Sequence, residues 1–234
     1  LRVVDIEPLG PGDGSEGYRL HLRSPGLFGG RGKTLTARGI VLSAGALGTN
    51  RLLANCKHRG SLPQLSDRLG ELVRTNSESV LAVTLPDDAD DIWNSVAISS
   101  SIHTDADTHI EVVTYGQKGD FMNFLFTLLT GKGGRWTRIF LWLGNIVRHP
   151  VNFLKSLWPI AWSRRTVFLL VMRSLDNAIA FRPRKRLFGD GVRLTTEQDA
   201  DKPNTTYIEA GNKAAEWIAN WTGGYGQSLL LEAG

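Results

Sequence analysis

A mixed fold, α/β in its first third and α+β beyond, follows from three features of the sequence. Short alternating apolar segments joined by glycine-rich turns fill residues 1–42. The stretch Gly39-Ile40-Val41-Leu42-Ser43-Ala44-Gly45-Ala46-Leu47-Gly48-Thr49 then passes from strand-forming residues through small ones into an amphipathic helix. From Glu78 onward, β-rich segments separated by polar turns predict a mixed, largely antiparallel six-stranded sheet with helices beside it. Two domains are expected, residues 1–76 and 77–234, with a helical basic insertion at 118–165 in the second.

With 234 residues, 41% of them apolar, the chain can bury the core of one or two domains. Its single cysteine, Cys56, excludes an internal disulfide framework, fits a reducing compartment and reads as a small apolar filler on a helix. A net charge of +4 is too small to imply nucleic acid as a partner. The charge is uneven: residues 118–165 carry eight basic side chains against Asp120 alone, a balance of +7 that leaves −3 elsewhere. The chain starts inside a strand-like segment and stops without a terminal helix, so it is expected to be an internal piece of a longer protein. No secretory signal stands at its start, and the expected location is cytoplasmic or peripheral to a membrane.

In order along the chain, Val3-Val4-x-Ile6 and Tyr18-x-Leu20-x-Leu22 alternate around a Gly10-Pro11-Gly12-Asp13-Gly14 turn. Thr34-Leu35-Thr36 leads on to Ile40-Val41-Leu42, which completes a β-meander feeding a buried strand. The glycine-rich segment 26–32 precedes a strand rather than a helix and reads as a hairpin loop, not a phosphate cradle. Thr49 opens a helix with Leu52 and Leu53 on its inner side, followed by a loop to residue 75. The six strands are expected at 79–85, 96–101, 110–115, 166–172, 178–181 and 192–195. The last two form a hairpin around Phe188-Gly189-Asp190-Gly191, with Arg182, Arg184, Lys185 and Arg186 solvated. Asn204 is placed to cap a helix running to about Trp221 and ended by Gly223-Gly224. Its stripe of Tyr207, Ala210, Ala214, Trp217 or Ile218, and Trp221 is expected to face the core.

Within the insertion, Trp136, Ile139, Phe140, Leu143, Ile146 and Val147 recur at helical spacing. Phe153, Leu154, Leu157, Trp158, Ala161 and Trp162 do so again after Pro150. Four of the seven tryptophans lie here, flanked by Arg135, Arg138, Arg148, Lys155, Arg164 and Arg165. That composition suits helices lying in a membrane interface, giving a peripheral membrane contact through 118–165. It equally suits helices that cap the second domain or meet another subunit. The charges and prolines interrupt any apolar run of about 20 residues, so a spanning helix is excluded. His103-Thr104-Asp105-Ala106-Asp107-Thr108-His109 reads as a polar hairpin connection, not a metal site, since four ligands in seven residues rarely converge. The sequons at Asn204 and Asn220 fall on the last expected helix and carry no weight without secretion.

At the glycine turn, Gly45 and Gly48 lack the Cβ atoms that would hold a diphosphate or adenosine away from the backbone, and a helix start offers free N–H groups to an anion. A ligand-free βα turn has the same signature. The run Val41-Leu42-Ser43-Ala44-Gly45-Ala46-Leu47-Gly48-Thr49, followed by Leu52-Leu53 and by Gly60-Ser61-Leu62-Pro63-Gln64-Leu65, is more particular. It resembles the second flavin-contacting segment of the glucose-methanol-choline (GMC) oxidoreductases, and within them the cholesterol-oxidase-like branch. The looser similarity continues over most of the chain.

The resemblance implies FAD as cofactor. Residues 1–76 would be part of an FAD-binding Rossmann-like domain, and the six-stranded sheet would belong to a substrate-binding domain. The cofactor-side residues would be Val3, Ser43, Ala44, Gly45 and Gly48; Asn76 and the position of Leu170 would lie on the substrate side. Family members pass hydride from an alcohol to the flavin while a histidine, paired with an asparagine or second histidine, handles the hydroxyl proton. His21, His58, His103, His109 and His149 match no such position, so no catalytic residue is assigned and the chain alone is expected to show no turnover. The branch's glutamate falls at about Leu170, a departure that bears on isomerisation and not on oxidation.

The leading reading is a piece of an FAD-dependent oxidoreductase acting on the CH–OH group of a sterol or other bulky apolar alcohol. Its rival is a noncatalytic membrane-surface or lipid-binding protein with a vestigial flavin fold. A polyanion-binding module is disfavoured, because the basic residues are interleaved with apolar stripes.

Overall fold

The computed structural model describes every residue except 26–31, 75, 76, 188, 206 and 234, and the side chain of Arg135. The first elements are β1 (Arg2–Pro8), β2 (Tyr18–Arg23), β3 (Lys33–Ala37) and α1 (Gly45–Arg59). They are followed by β4 (Ser79–Thr84), β5 (Ile98–His103), β6 (Thr108–Val113) and β7 (Phe126–Leu128). Next come α2 (Arg135–Arg148), α3 (Pro150–Ser156) and β8 (Thr166–Arg173). β9 (Ile179–Lys185), β10 (Val192–Gln198), α4 (Glu209–Thr222) and β11 (Tyr225–Leu229) end the series. The chain divides into two compact units, Leu1–Arg74 with Asn177–Asn204, and Thr75–Asp176 with Thr205–Gly234.

In the first unit β1, β2 and β3 form an antiparallel meander, with Ile6 opposite Leu20. The alternation that predicts these strands also places Ile6 and Leu22 in the core. α1 packs its buried Ala54 and Cys56 on the inner side, against β1 and β10. It starts at Gly45, four residues before the expected Thr49, because Gly45 takes a left-handed φ of +67° that turns the chain directly into the helix. No strand forms at Ile40-Val41-Leu42. That segment has no ladder partner among the described residues and Val41 is 89% exposed; a buried strand needs neighbours to satisfy its backbone. The expected loop at 26–32 lies, apart from Gly32, outside the described residues.

The hairpin β9–β10 forms a two-stranded sheet of its own in this unit rather than the end of a six-stranded one. Three backbone links hold it there. Val73 and Ile179 exchange hydrogen bonds of 2.9 Å, and the Phe181 N–H donates to the Gly70 carbonyl at 2.7 Å. The side chain of Asn55 accepts from the Val192 N–H at 2.9 Å. Residues 177–204, expected with the second region, therefore belong to the first.

The second unit is built on a six-stranded, wholly antiparallel sheet in the order β5-β6-β8-β4-β11-β7. The number of strands matches the expectation, but β7 and β11 take the places assigned to β9 and β10. Both were hidden in the sequence: β7 is three residues long and lies inside the insertion, and β11 carries Gly226 and Gln227 in place of β-branched residues.

One face of the sheet buries Leu81, Val83, Ile110, Leu169 and Val171 against Ile208, Ala215 and Ala219. The other buries Ala82, Val113, Phe126, Phe168 and Trp162, whose rings lie 5.3–5.5 Å apart in tilted and edge contacts. α4 begins at Glu209, not after Asn204, and has no side-chain cap. Of its expected stripe, Ala214 and Ile218 pack against the core while the tryptophans point away from it. Trp217 and Trp221 are exposed and stack at 5.6 Å, while small residues meet the sheet. A Cβ on Gly211 would sit 2.6 Å from Val171 Cγ2, so close approach of helix to strand selects glycine there.

Candidate functional site

The turn before α1 is the cofactor-side candidate. Ser43, Ala44 and Gly45 are exposed, Gly48 half-buried. The helix has Ala44 at its N-cap with no side-chain hydrogen bond, and no acidic residue in its first turn. Its leading N–H groups are thus left to an external acceptor. Space at Gly45 is open: nothing lies within 4 Å of a Cβ built on it. At Gly48 a Cβ would stand 3.0 Å from that of Ala44, so glycine keeps the turn tight. This donor set, uncapped amides on a bare backbone turn, fits a flavin's diphosphate and adenosine.

Val3 sits half-buried on β1 opposite Leu22, beside a register shift. The hydrogen bonds that tie β1 to α1 reach the far end of the helix, where Arg59 donates to the Val4 carbonyl at 2.7 Å. Ser61 donates to Asp5 at 2.6 Å in the same region. No described hydrogen bond joins Val3 to the glycine turn. Cys56, beside Asp5, has its thiol pushed up to about 11, mainly by burial and then by the Asp5 carboxylate. It stays protonated at neutral pH, which fits a structural role.

A groove of about 400 Å³ lies on another side of α1, bordered by Lys57, Asp67, Gly70, Phe181, Lys185 and Leu194 among others. None of the cofactor-side residues lines it. Among its lining residues, Lys57 donates to Asp67 at 2.7 Å.

On the second unit, Leu170 is half-buried on the sheet face that α4 does not cover. In register it faces Val80 on β4 and Glu111 on β6. His109, two residues before Glu111 on the same face, stands 3.9 Å from its carboxylate and stacks on His103 at 4.5 Å. The two histidines of the discounted connection thus join Glu111 in an acid–imidazole patch near Leu170, and among the described residues no group of three such side chains could hold a metal. Only cross-strand register brings Glu111 opposite Leu170, and no spacing in the sequence encodes it. Asn76 lies outside the described residues.

Deeper on the same face, Gln227 Oε1 accepts from Thr84 Oγ1 at 2.8 Å and from Trp162 Nε1 at 3.0 Å. A groove of about 450 Å³ opens next to these groups, between α3 and the ends of β4 and β11. Val151, Leu154, Trp158 and Tyr225 give it apolar walls, and Lys155 and Arg165, paired with Asp87, lie at its polar side. Burial raises the Tyr225 hydroxyl above its ordinary value, so it remains a neutral donor. No helix among the described residues is long and apolar enough to cross a membrane.

No protein-family model matches the chain. Curated relatives do. The chain is 37% identical over 234 residues to the cholesterol oxidase of Acinetobacter baumannii, covering 99% of this chain and 42% of that protein. It is 45% identical over 195 residues to the cholesterol oxidase of Mycobacterium tuberculosis, covering 80% of this chain and 33% of that protein. The chain therefore spans between a third and somewhat under half of the length of these relatives.

Proposed function

For a chain that belongs with the cholesterol oxidase-like GMC-type oxidoreductases, we propose that the whole protein is an FAD-dependent oxidoreductase that oxidises the hydroxyl-bearing carbon of a sterol or similar bulky apolar alcohol. The identity with cholesterol oxidases over almost the entire chain carries this reading. The uncapped glycine turn supports it, because it supplies backbone donors and an approach free of side chains where the resemblance expects the adenosine and diphosphate.

Ser43, Ala44, Gly45 and Gly48 would hold the adenosine side of the cofactor, and Val3 would meet the adenine through its backbone. When bound, the flavin accepts the hydride. The chain's own contribution is binding and exclusion of water. The first unit serves the cofactor and the sheet of the second serves the substrate, with the face that α4 leaves uncovered, around Leu170, Val80 and Leu229, offering an apolar floor. Leu170 places no carboxylate on β8, so oxidation proceeds without that group. Any proton shift within the product then falls to another residue, and Glu111, in register across from Leu170, is the acid in place.

The test is a visible absorption spectrum of the intact protein, recorded before and after a sterol alcohol is added without oxygen. A flavin spectrum that bleaches is the expected result. A flavin that stays oxidised discards the sterol, and the absence of any flavin returns the protein to the noncatalytic lipid-binding reading, which nothing in the comparisons favours. Analysis of the steroid product then shows whether its double bond moves, and Glu111→Gln is expected to abolish that movement while leaving oxidation in place.

A further inference from the structure

α2 is built inside out. The side it turns to β7 carries Arg138, which is only 8% exposed, and Trp142, whose indole N–H donates to Thr127 Oγ1 at 2.8 Å. Asn145 also lies on this side and donates to the Leu129 carbonyl at 3.0 Å. The opposite side carries Trp136, Phe140, Leu143 and Val147, spaced four, three and four residues apart, and all are exposed, Trp136 by 72% and Val147 by 80%. A soluble helix normally has the reverse arrangement. α3 continues it: Val151 and Leu154, and Trp158 just beyond, are exposed in turn. Contiguous apolar surface of this kind marks a surface that something covers.

Charge says what the cover is. From Phe121 to Arg165 the sequence holds no aspartate or glutamate, so this surface repels no anionic or zwitterionic headgroup. Basic residues flank α2 at Lys132 and Arg148. Part of the remaining basic excess is paired: Lys155 and Arg165 share Asp87, Arg164 meets Asp91 and Arg138 stands near Glu232, acids that lie outside the basic stretch in sequence. Tryptophan, phenylalanine and leucine on the outer side, with arginine and lysine at the margins, is the composition of helices that lie in a bilayer interface. A second copy of the chain would instead be expected to offer acids to the marginal cations.

We propose that α2 and α3 dock this protein on a lipid bilayer, with Trp136, Phe140, Leu143, Val147, Leu154 and Trp158 below the headgroups, and that apolar burial rather than headgroup charge holds it there. The proposal stands apart from the flavin reading, since binding to vesicles requires no turnover.

The experiment is flotation of the intact protein with vesicles of pure phosphatidylcholine and of phosphatidylcholine mixed with phosphatidylserine, each at low and high salt. Binding to the neutral vesicles is expected, with affinity changing by no more than about threefold between the two salt conditions. The double variants Phe140→Ser with Val147→Ser, and Leu154→Ser with Trp158→Ser, are each expected to lower partitioning by about tenfold or more while the circular dichroism spectrum is unchanged. Quenching of native tryptophan fluorescence by brominated phosphatidylcholine, in the unsubstituted protein, gives a readout that survives if a variant fails to fold. Four results overturn the proposal: no binding or quenching with neutral vesicles, binding only to anionic vesicles with a steep salt dependence, variants that bind as the parent does, or a self-associated protein that the variants render monomeric.

Discussion

α2 and α4 are both 14-residue helices of the same unit, both rich in tryptophan, and they solve opposite problems. α4 buries small residues, Gly211, Ala215 and Ala219, against the sheet and leaves Trp217 and Trp221 outside as a stacked pair. α2 turns polar and mixed groups, Arg138, Asn145 and Trp142, inward and leaves Phe140, Leu141, Leu143 and Val147 outside. In α4 the separation between helix and sheet is set by close approach, and a bulky side chain cannot enter. In α2 the inner side is specified by hydrogen bonds to β7 and the segment after it, which fix position without requiring apolar burial. An exposed aromatic therefore means two things here: on α4 it is what the small-residue contact leaves over, and on α2 it is the larger part of the helix's apolar surface.

Substitutions can break this contrast in order of expected effect. Gly211→Leu should cost about 3 kcal/mol, because the new side chain collides with Val171 and forces helix and sheet apart. Denaturant unfolding measures it, and Trp217→Ser, its outward-facing control, should stay within about 0.5 kcal/mol. Arg138→Ala should cost about 2 kcal/mol, since it strips the buried guanidinium that stands 3.6 Å from the Glu232 carboxylate. Arg138→Met, of similar volume, should recover part of that loss. Trp142→Phe removes one bond to Thr127 and should cost about 1 kcal/mol. Phe140→Ser should leave stability in water unchanged within about 0.5 kcal/mol, for the same residue whose loss weakens vesicle binding.

The smallest effect is one of pH. Burial holds the Glu232 carboxyl above its ordinary value, against the Ser79 hydroxyl and the Arg138 charge, which pull it down. The folded state then keeps the proton longer than the unfolded chain, so this group's contribution to stability falls as pH rises through the ordinary glutamate range, about 4.3. Glu232→Gln should match the parent below that range and exceed it above. Asp87 and Asp91 act in the other direction. Hydrogen bonds from Lys155 and Arg165 to Asp87, and from Arg164 to Asp91, hold both below the usual value. Their contribution is present above the ordinary aspartate range and lost as pH falls through it. Melting curves of parent and variant across pH separate the two groups.

The local structure of the candidate turn was legible. The run 41–49 pointed to a glycine turn entering a helix, and the structure places Gly45 at that entry with its amides free. The β-rich segments read at 79–85, 110–115 and 166–172 located three central strands of the sheet, found at Ser79–Thr84, Thr108–Val113 and Thr166–Arg173. Illegible were β7 and β11, too short or too glycine-rich to carry a period, and the transfer of the 177–204 hairpin, which depends on backbone bonds to Gly70 and Val73 far away in sequence. Glu111 escaped notice because register across two strands, not spacing within one, sets it opposite Leu170.

The sequence by itself determined the meander, the helices and the central strands of the large sheet, because hydrophobic period and backbone propensity act over a few residues. It also determined the bare turn at 43–48, through the absence of side chains, and the acid-free stretch from 121 to 165. Only the tertiary structure decided which stripe of each helix faces inward. A period marks two opposite sides of a helix without saying which one another surface will meet: the tryptophans of α4 stand outside against the expectation of core packing, and α2, for which the sequence left an interface and a capping reading open, turns its polar side inward. Tertiary structure also decided where charge remains: Asp87 and Asp91 pair with three of the eight basic side chains and offset two of those charges, through contacts between residues some 70 positions apart that no local count of charge contains.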